Sequence, residues 1–174
     1  MRELLKFKKA ELKVVQKAQE TAAGLVGDFY VLAPREWESM HYEVRTLKEL
    51  SPLEICDQVF AQVLCYDCIK STGPQVIGRR DLYRICLQDH RILQAAGFGK
   101  ETSRDKLALE SLLLYVLTHE MVHVVRFSQQ LQRLNLPLEL RPQEEESVEK
   151  TTLQILLPFA DRSLRHVINA FAVH

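Results

Sequence analysis

The residues best suited by type and spacing to do chemistry are His119, Glu120 and His123, in the run Val116-Leu117-Thr118-His119-Glu120-Met121-Val122-His123-Val124-Val125. An α-helix turns once in about 3.6 residues, so two histidines four apart project from one face. Neutral imidazoles in that arrangement can share one Zn²⁺ and leave positions for a third protein ligand and a water. Glu120 stands about 100° further round the helix. From there its carboxylate can take a proton from a metal-activated water, as a general base, without ligating the ion. The flanking residues 116, 117, 121, 122, 124 and 125 are all uncharged and bulky, the pattern of a helix buried on several sides. Ionisable groups in such surroundings need a partner, and a divalent ion is the partner this spacing suits.

The H-E-x-x-H run between uncharged flanks resembles the zincin superfamily of zinc metallopeptidases. Within it, metzincins continue H-x-x-G-x-x-H and carry a downstream Met-turn. Here Arg126 stands where the glycine would be and Gln129 where the third histidine would be, and the methionines are Met1, Met40 and Met121. That branch is excluded. The remaining resemblance is to gluzincins, and it implies that a glutamate on a second, downstream helix completes the site. The run Glu144-Glu145-Glu146 opens such a helix, whose apolar stripe is Val148, Thr152, Ile155, Leu156 and Phe159. Glu145, one turn before Val148, extends the stripe, Glu144 borders it and Glu146 points away. Glu145 is the expected third ligand, with Glu144 and Glu146 as alternatives.

The resemblance covers roughly residues 82–158 and implies more. Glu149 would accept the second N–H of a ligand imidazole. The activity would be zinc-dependent hydrolysis of a peptide or protein substrate. A strand preceding the motif helix would form the cleft rim and pair with extended substrate, and Leu82–Gln88 is the stretch expected there. A transition-state oxyanion also needs a donor besides the metal. Tyr115, four before His119 and on its face, and His166 are the candidates, with His90 after the rim strand as a further one. Arg126, three after His123, is placed to steady the ligand glutamate.

Behind these residues the elements read as follows. An amphipathic helix over about 3–25 carries Leu12, Val15, Ala18, Ala22 and Leu25 at helical steps, with Gly24 and Gly27 as stops. Phe29–Ala33 and Tyr42–Leu47 read as strands. Ser51-Pro52-Leu53-Glu54 is a capping box opening a short helix. Val59–Tyr66 is apolar and ambiguous between helix and strand, Ser71–Pro74 is a turn, and Gly97-Phe98-Gly99 is a loop. The motif helix is expected from Ser103 to Leu134, behind a second capping box at Thr102 and Asp105. The acidic helix runs from Gln143 to Leu157, where Pro158 ends it. A last helix over about 162–172 is capped by Asp161. The expected fold is α+β. A small mixed or antiparallel sheet packs against the long central H-E-x-x-H helix and the second, glutamate-bearing helix. One domain spans 1–174, with an N-terminal helix and strands over 1–80 and the motif-bearing part over 81–174.

Composition narrows the rest. The 174 residues are enough for one sizeable core. Lys+Arg and Asp+Glu both number 23, so no basic surface points to nucleic acid. No apolar run approaches the roughly 20 residues of a membrane span, and the first residues lack the apolar core of a secretory signal. The expected address is cytoplasmic, without a membrane partner. Cys56, Cys65, Cys68 and Cys86 are then expected as reduced, buried small residues. Cys65-x-x-Cys68 is a single pair, and a second metal site or redox pair is the lesser reading. Two functions remain open: a zinc metallopeptidase, and a non-catalytic or latent zinc-binding regulatory protein on the same kind of fold.

Overall fold

A computed structural model describes residues 3–72, 74–99, 105–129 and 138–171. The chain begins with helix α1 (Lys9–Phe29) and a short α2 (Pro34–Ser39). Strands β1 (Tyr42–Arg45), β2 (Ala61–Thr72) and β3 (Gln75–Leu87) follow, then α3 (Asp89–Ala95), α4 (Leu109–Ser128), α5 (Arg141–Leu156) and α6 (Arg162–Phe171). The sheet is mixed, in the order β1-β3-β2. β1 runs parallel to β3, from Tyr42 opposite Tyr83 to Arg45 opposite Cys86. β2 runs antiparallel to β3, from Ala61 opposite Leu87 to Thr72 opposite Gln75. The fold class is α+β, as the sequence implies.

Helix α4 is the centre. Twelve of its 20 residues are buried, and Leu112, Leu113, Leu117, Met121, Val122, Val124 and Val125 are inaccessible to solvent. It packs against α1, α3, α5, α6 and the start of β2. A helix apolar all round has no solvent face to give up, so the other elements assemble around it. α1 contributes Val15, Ala18, Ala22 and Val26. α5 contributes Val148, Thr152, Ile155 and Leu156.

The sequence reading needs correction in several places. α1 starts and ends later than expected, and its buried face ends in Val26, while Leu12 is exposed. Gly27 is no stop. A Cβ there would come within 2.5 Å of the Trp37 indole nitrogen, so the glycine lets Trp37 close against the helix. Phe29–Ala33 is no strand. The helix ends there in a Schellman turn: Leu32 N–H donates to the Gly27 carbonyl (2.9 Å), Val31 N–H donates to the Asp28 carbonyl (3.2 Å), and Val31 takes a left-handed φ of 54°. Its β-rich composition was misleading because the hydrogen bonds of the terminating turn outweighed strand propensity. Ser51–Glu54 makes a 3₁₀ turn, with Ser51 N–H on the Glu54 carboxylate at 2.7 Å. α3 was unforeseen. α4 begins at Leu109, residues 105–108 are not helical, and Thr102 and residues 130–134 lie outside the described residues. Phe159, expected in the buried stripe of α5, is exposed, because the chain leaves the helix in a 3₁₀ turn at Leu157–Phe159 around Pro158. Cys65 is half-buried against the core and Cys86 is buried. The Cys68 side chain lies outside the described residues.

Candidate metal centre

The two histidines face a single carboxylate. His119 and His123, four apart on α4, turn their Nε2 atoms to Glu145 on the first turns of α5, at 3.4 Å from Oε2 and 3.3 Å from Oε1. One ligand atom from each of the three residues lies within 4.8 Å of the others. The spacing can be tested against an ion. Donors about 2.0–2.1 Å from a tetrahedral Zn²⁺ are about 3.3–3.4 Å from one another. Each imidazole lies at about that separation from one of the two Glu145 oxygens, so the three side chains could gather on a divalent ion. Charge also draws these groups together. Burial favours the neutral form of His119, but Glu145, Glu149 and Glu120 outweigh it and hold the ring up to about 10. Contacts with His119 and His123 hold the Glu145 carboxyl well below its usual range.

The surroundings orient these groups. Glu149, one turn beyond Glu145, places Oε2 3.4 Å from His119 Nδ1. That carboxylate favours a proton on Nδ1, so Nε2 is the atom that would give up its proton to ligate an ion. The Tyr115 hydroxyl donates to both oxygens of Glu149, at 2.7 and 2.6 Å. Burial and the neighbouring Glu149 together push the Tyr115 phenol well above its usual range. Rings pack the imidazoles from both sides: Tyr115 stacks on His119 at 6.4 Å between centroids and Phe127 on His123 at 5.9 Å. Glu120 is 7% exposed yet lines the cleft. Burial pushes its carboxyl upward, and the two imidazoles oppose that shift.

The centre opens into a cleft of about 730 Å³. Val59–Val63, at the start of β2, form one rim, and Val116, Phe127, Phe171 and Tyr115 form apolar walls. The Glu145 side chain is 59% exposed, so the centre is reached directly from solvent. His119, His123 and Glu145 thus come together as one group, with Glu120 lining the same cleft and Glu149 facing His119. No protein-family model, curated protein or solved structure matches this chain.

Other expectations fall elsewhere. Glu144 pairs with Arg126 through both Nε and Nη2, and the group that could hold an ion comprises His119, His123 and Glu145, without Glu144 or Glu146. Arg126 therefore steadies the neighbour of the ligand glutamate rather than the ligand. Tyr115 spends its hydroxyl on Glu149. His166 is exposed on α6 beside Lys106 and Arg162, in a separate depression. His90 bonds Asp57 at 2.7 Å, away from the cleft. Leu82–Gln88 is not the rim. It belongs to β3, which is hydrogen-bonded on both sides, whereas β2 is the edge strand on the cleft. The sequence signal for β2 was its apolar run at 59–66, which length and composition left undecided.

Proposed function

We propose that this protein is a metal-dependent hydrolase, with Zn²⁺ held by His119, His123 and Glu145, that cleaves peptide bonds. The observation that carries the reading is the meeting of both Nε2 atoms with the two Glu145 oxygens at 3.3–3.4 Å, at the floor of an open cleft that Glu120 also lines. Two imidazoles and a carboxylate are a donor set that suits Zn²⁺ and leaves a position for water. The ion, when bound, supplies a Lewis acid that activates this water and polarises the substrate carbonyl. Glu120 accepts the water's proton and returns it to the leaving amine. A carboxyl held upward by burial is suited to both halves of that transfer. The Glu149–Tyr115 pair keeps His119 in the tautomer that binds. The edge of β2 that pairs with no other described strand offers main-chain groups to an extended chain, and the aromatic walls exclude water around it.

A purely structural zinc site would close on four protein ligands. The described residues that meet here are three, which favours the catalytic reading over a regulatory protein that keeps zinc for its fold. Metal content is measured first, on purified protein before and after chelation. Peptide hydrolysis is then compared between the zinc-loaded wild type and Glu120→Gln. The expected result is one zinc per chain in both and activity lower by about 10²–10⁴-fold in the variant. Protein that takes up no zinc, or a variant with undiminished activity, would overturn the proposal.

A further inference from the structure

We infer that Phe171 and Phe60 form, beside the metal centre, a subsite for one large apolar side chain of the substrate, close to the bond being cut. The inference rests on the peptidase reading above and names the substrate class for it. Tyr115, His119, His123 and Phe127 follow one another at four-residue steps on α4, with 6.4, 5.0 and 5.9 Å between successive ring centroids. The two ends of this row differ. Phe127 stacks on both His123 and the buried Tyr83 of β3, so packing within the fold accounts for it. At the Tyr115 end, Phe171 of α6 stacks on Tyr115 at 5.2 Å and meets Phe60, at the start of β2, at 5.3 Å with the ring planes 79° apart. Three elements thus build an aromatic corner. All three rings line the cleft, together with Val59, Val63 and Val116.

Phe60 and Phe171 are only half-buried. Apolar area left open inside a concave site is area that a ligand side chain can cover. Polar groups on the same elements are engaged. The Tyr115 hydroxyl donates to Glu149, and the Gln62 amide donates to the Glu54 carbonyl at 3.0 Å. A polar substrate side chain placed in the corner would give up water for an apolar surface. An acidic one would also meet the carboxylates of Glu145 and Glu149 in the same cleft. The distance to the centre sets which substrate residue is involved. The Tyr115 ring is 6.4 Å from that of His119, and an extended chain advances about 3.3 Å per residue. The side chain that fills the corner therefore belongs to a residue within about two of the carbonyl at the centre.

Binding and cleavage separate this inference from the reading beneath it. Alanine peptides, acetylated and amidated at their ends, are titrated into zinc-loaded Glu120→Gln protein. They carry a single central phenylalanine, leucine, lysine or glutamate, or none. The phenylalanine and leucine peptides should bind about ten- to a hundredfold more tightly than the other three, as burial of one large apolar side chain implies. Phe171→Ala in the same background should cut that preference by about tenfold and Phe171→Leu should keep most of it, while the all-alanine peptide binds all three proteins alike. Phe60→Ala should act as Phe171→Ala does, and it carries the test if Phe171→Ala fails to match the parent in circular dichroism and zinc content. Apolar peptides that bind no more tightly than the all-alanine peptide, tighter binding of the lysine peptide, a preference unchanged by the alanine variants, or no binding of any peptide would each overturn the inference. Cleavage of the same peptides by the zinc-loaded wild type judges the peptidase reading separately. Apolar-selective binding without cleavage would leave the subsite in place and remove the hydrolase. Cleavage without preference would keep the hydrolase and remove the subsite.

Discussion

At the scale of single residues, the proposed centre rests on groups that would not themselves ligate the ion. Glu149 and Tyr115 form a relay behind His119, with a hydroxyl holding the carboxylate and the carboxylate facing Nδ1. Outer partners of this kind are typically worth about 10–100-fold in metal affinity. Glu149→Gln should weaken zinc binding within that range, measured by competition with a chromophoric chelator, and Tyr115→Phe should weaken it less because the carboxylate remains. Unchanged affinity in both would mean that His119 is oriented by its ring packing alone. A second residue is a liability rather than an asset. Val31 holds a φ of 54° at the end of α1 and is 85% exposed. A β-branched side chain in the left-handed region costs about 1–2 kcal/mol, a penalty that glycine escapes. Val31→Gly should therefore raise stability by about 1 kcal/mol, a shift in Tm of about 2–4 °C for a chain of this size. No gain in Tm would show that the left-handed turn carries no strain.

At the scale of elements, the centre is a relation between two helices, and two adjacent glutamates fix it. Glu145 faces the imidazoles on one side of α4 while Glu144 holds Arg126 on another. Arg126 and Glu144 are only 18% and 15% exposed at the side chain. Removing one partner would strand a charge at a cost of about 3–5 kcal/mol, whereas replacing both with apolar residues of similar size can be nearly neutral. The double variant Arg126→Met with Glu144→Met should thus fold with near-normal stability yet bind zinc at least tenfold more weakly, because the phase of α5 is no longer set at two points. Normal affinity in a stable double variant would reduce the pair to a packing feature. The same helices show what the sequence made legible. The H-E-x-x-H spacing, its apolar flanks and the stripe at Val148, Thr152 and Ile155 were enough to choose Glu145 among three neighbouring acids, because helical periodicity converts position into direction. The rim strand was misassigned because edge and centre of a sheet differ in pairing, which no local pattern encodes. The partner of Arg126 was missed for a related reason: its distance to either glutamate depends on how α4 and α5 cross.

At the scale of the whole molecule, the metal centre and the far side of the sheet answer to different conditions. If zinc binds as proposed, it binds only the folded arrangement of α4 and α5, and a free concentration 100 times the dissociation constant should add about 2.7 kcal/mol of stability, which a chelator removes. The irregular segment between β1 and β2 is held instead by buried polar groups. Asp89 accepts from the backbone of Phe7 and Leu47 at 2.9 Å, and the Gln88 side chain bonds Cys56 N–H and the Glu54 carbonyl. The Glu54 carboxylate accepts from the Tyr66 hydroxyl at 2.6 Å, Ser51 N–H at 2.7 Å and Arg84 at 2.8 Å. These donors, the Tyr66 hydroxyl foremost, hold the Glu54 carboxyl down at about 2. A carboxyl depressed in the folded state stabilises fully above its unfolded value, about 4.3, and loses that contribution as the pH falls through the folded value. The chelated protein should lose stability steeply between about pH 4.5 and pH 2, partly through this group. Glu54→Gln should be less stable than wild type at pH 7, by about 2 kcal/mol for a charged acceptor of three hydrogen bonds. The two should converge toward pH 2, where both side chains are neutral. Urea unfolding at pH 7, 4 and 2.5 measures the gap. A difference that stays constant across that range would mean that shape rather than charge makes Glu54 the anchor of this segment, and that the acid limit of the fold is set elsewhere.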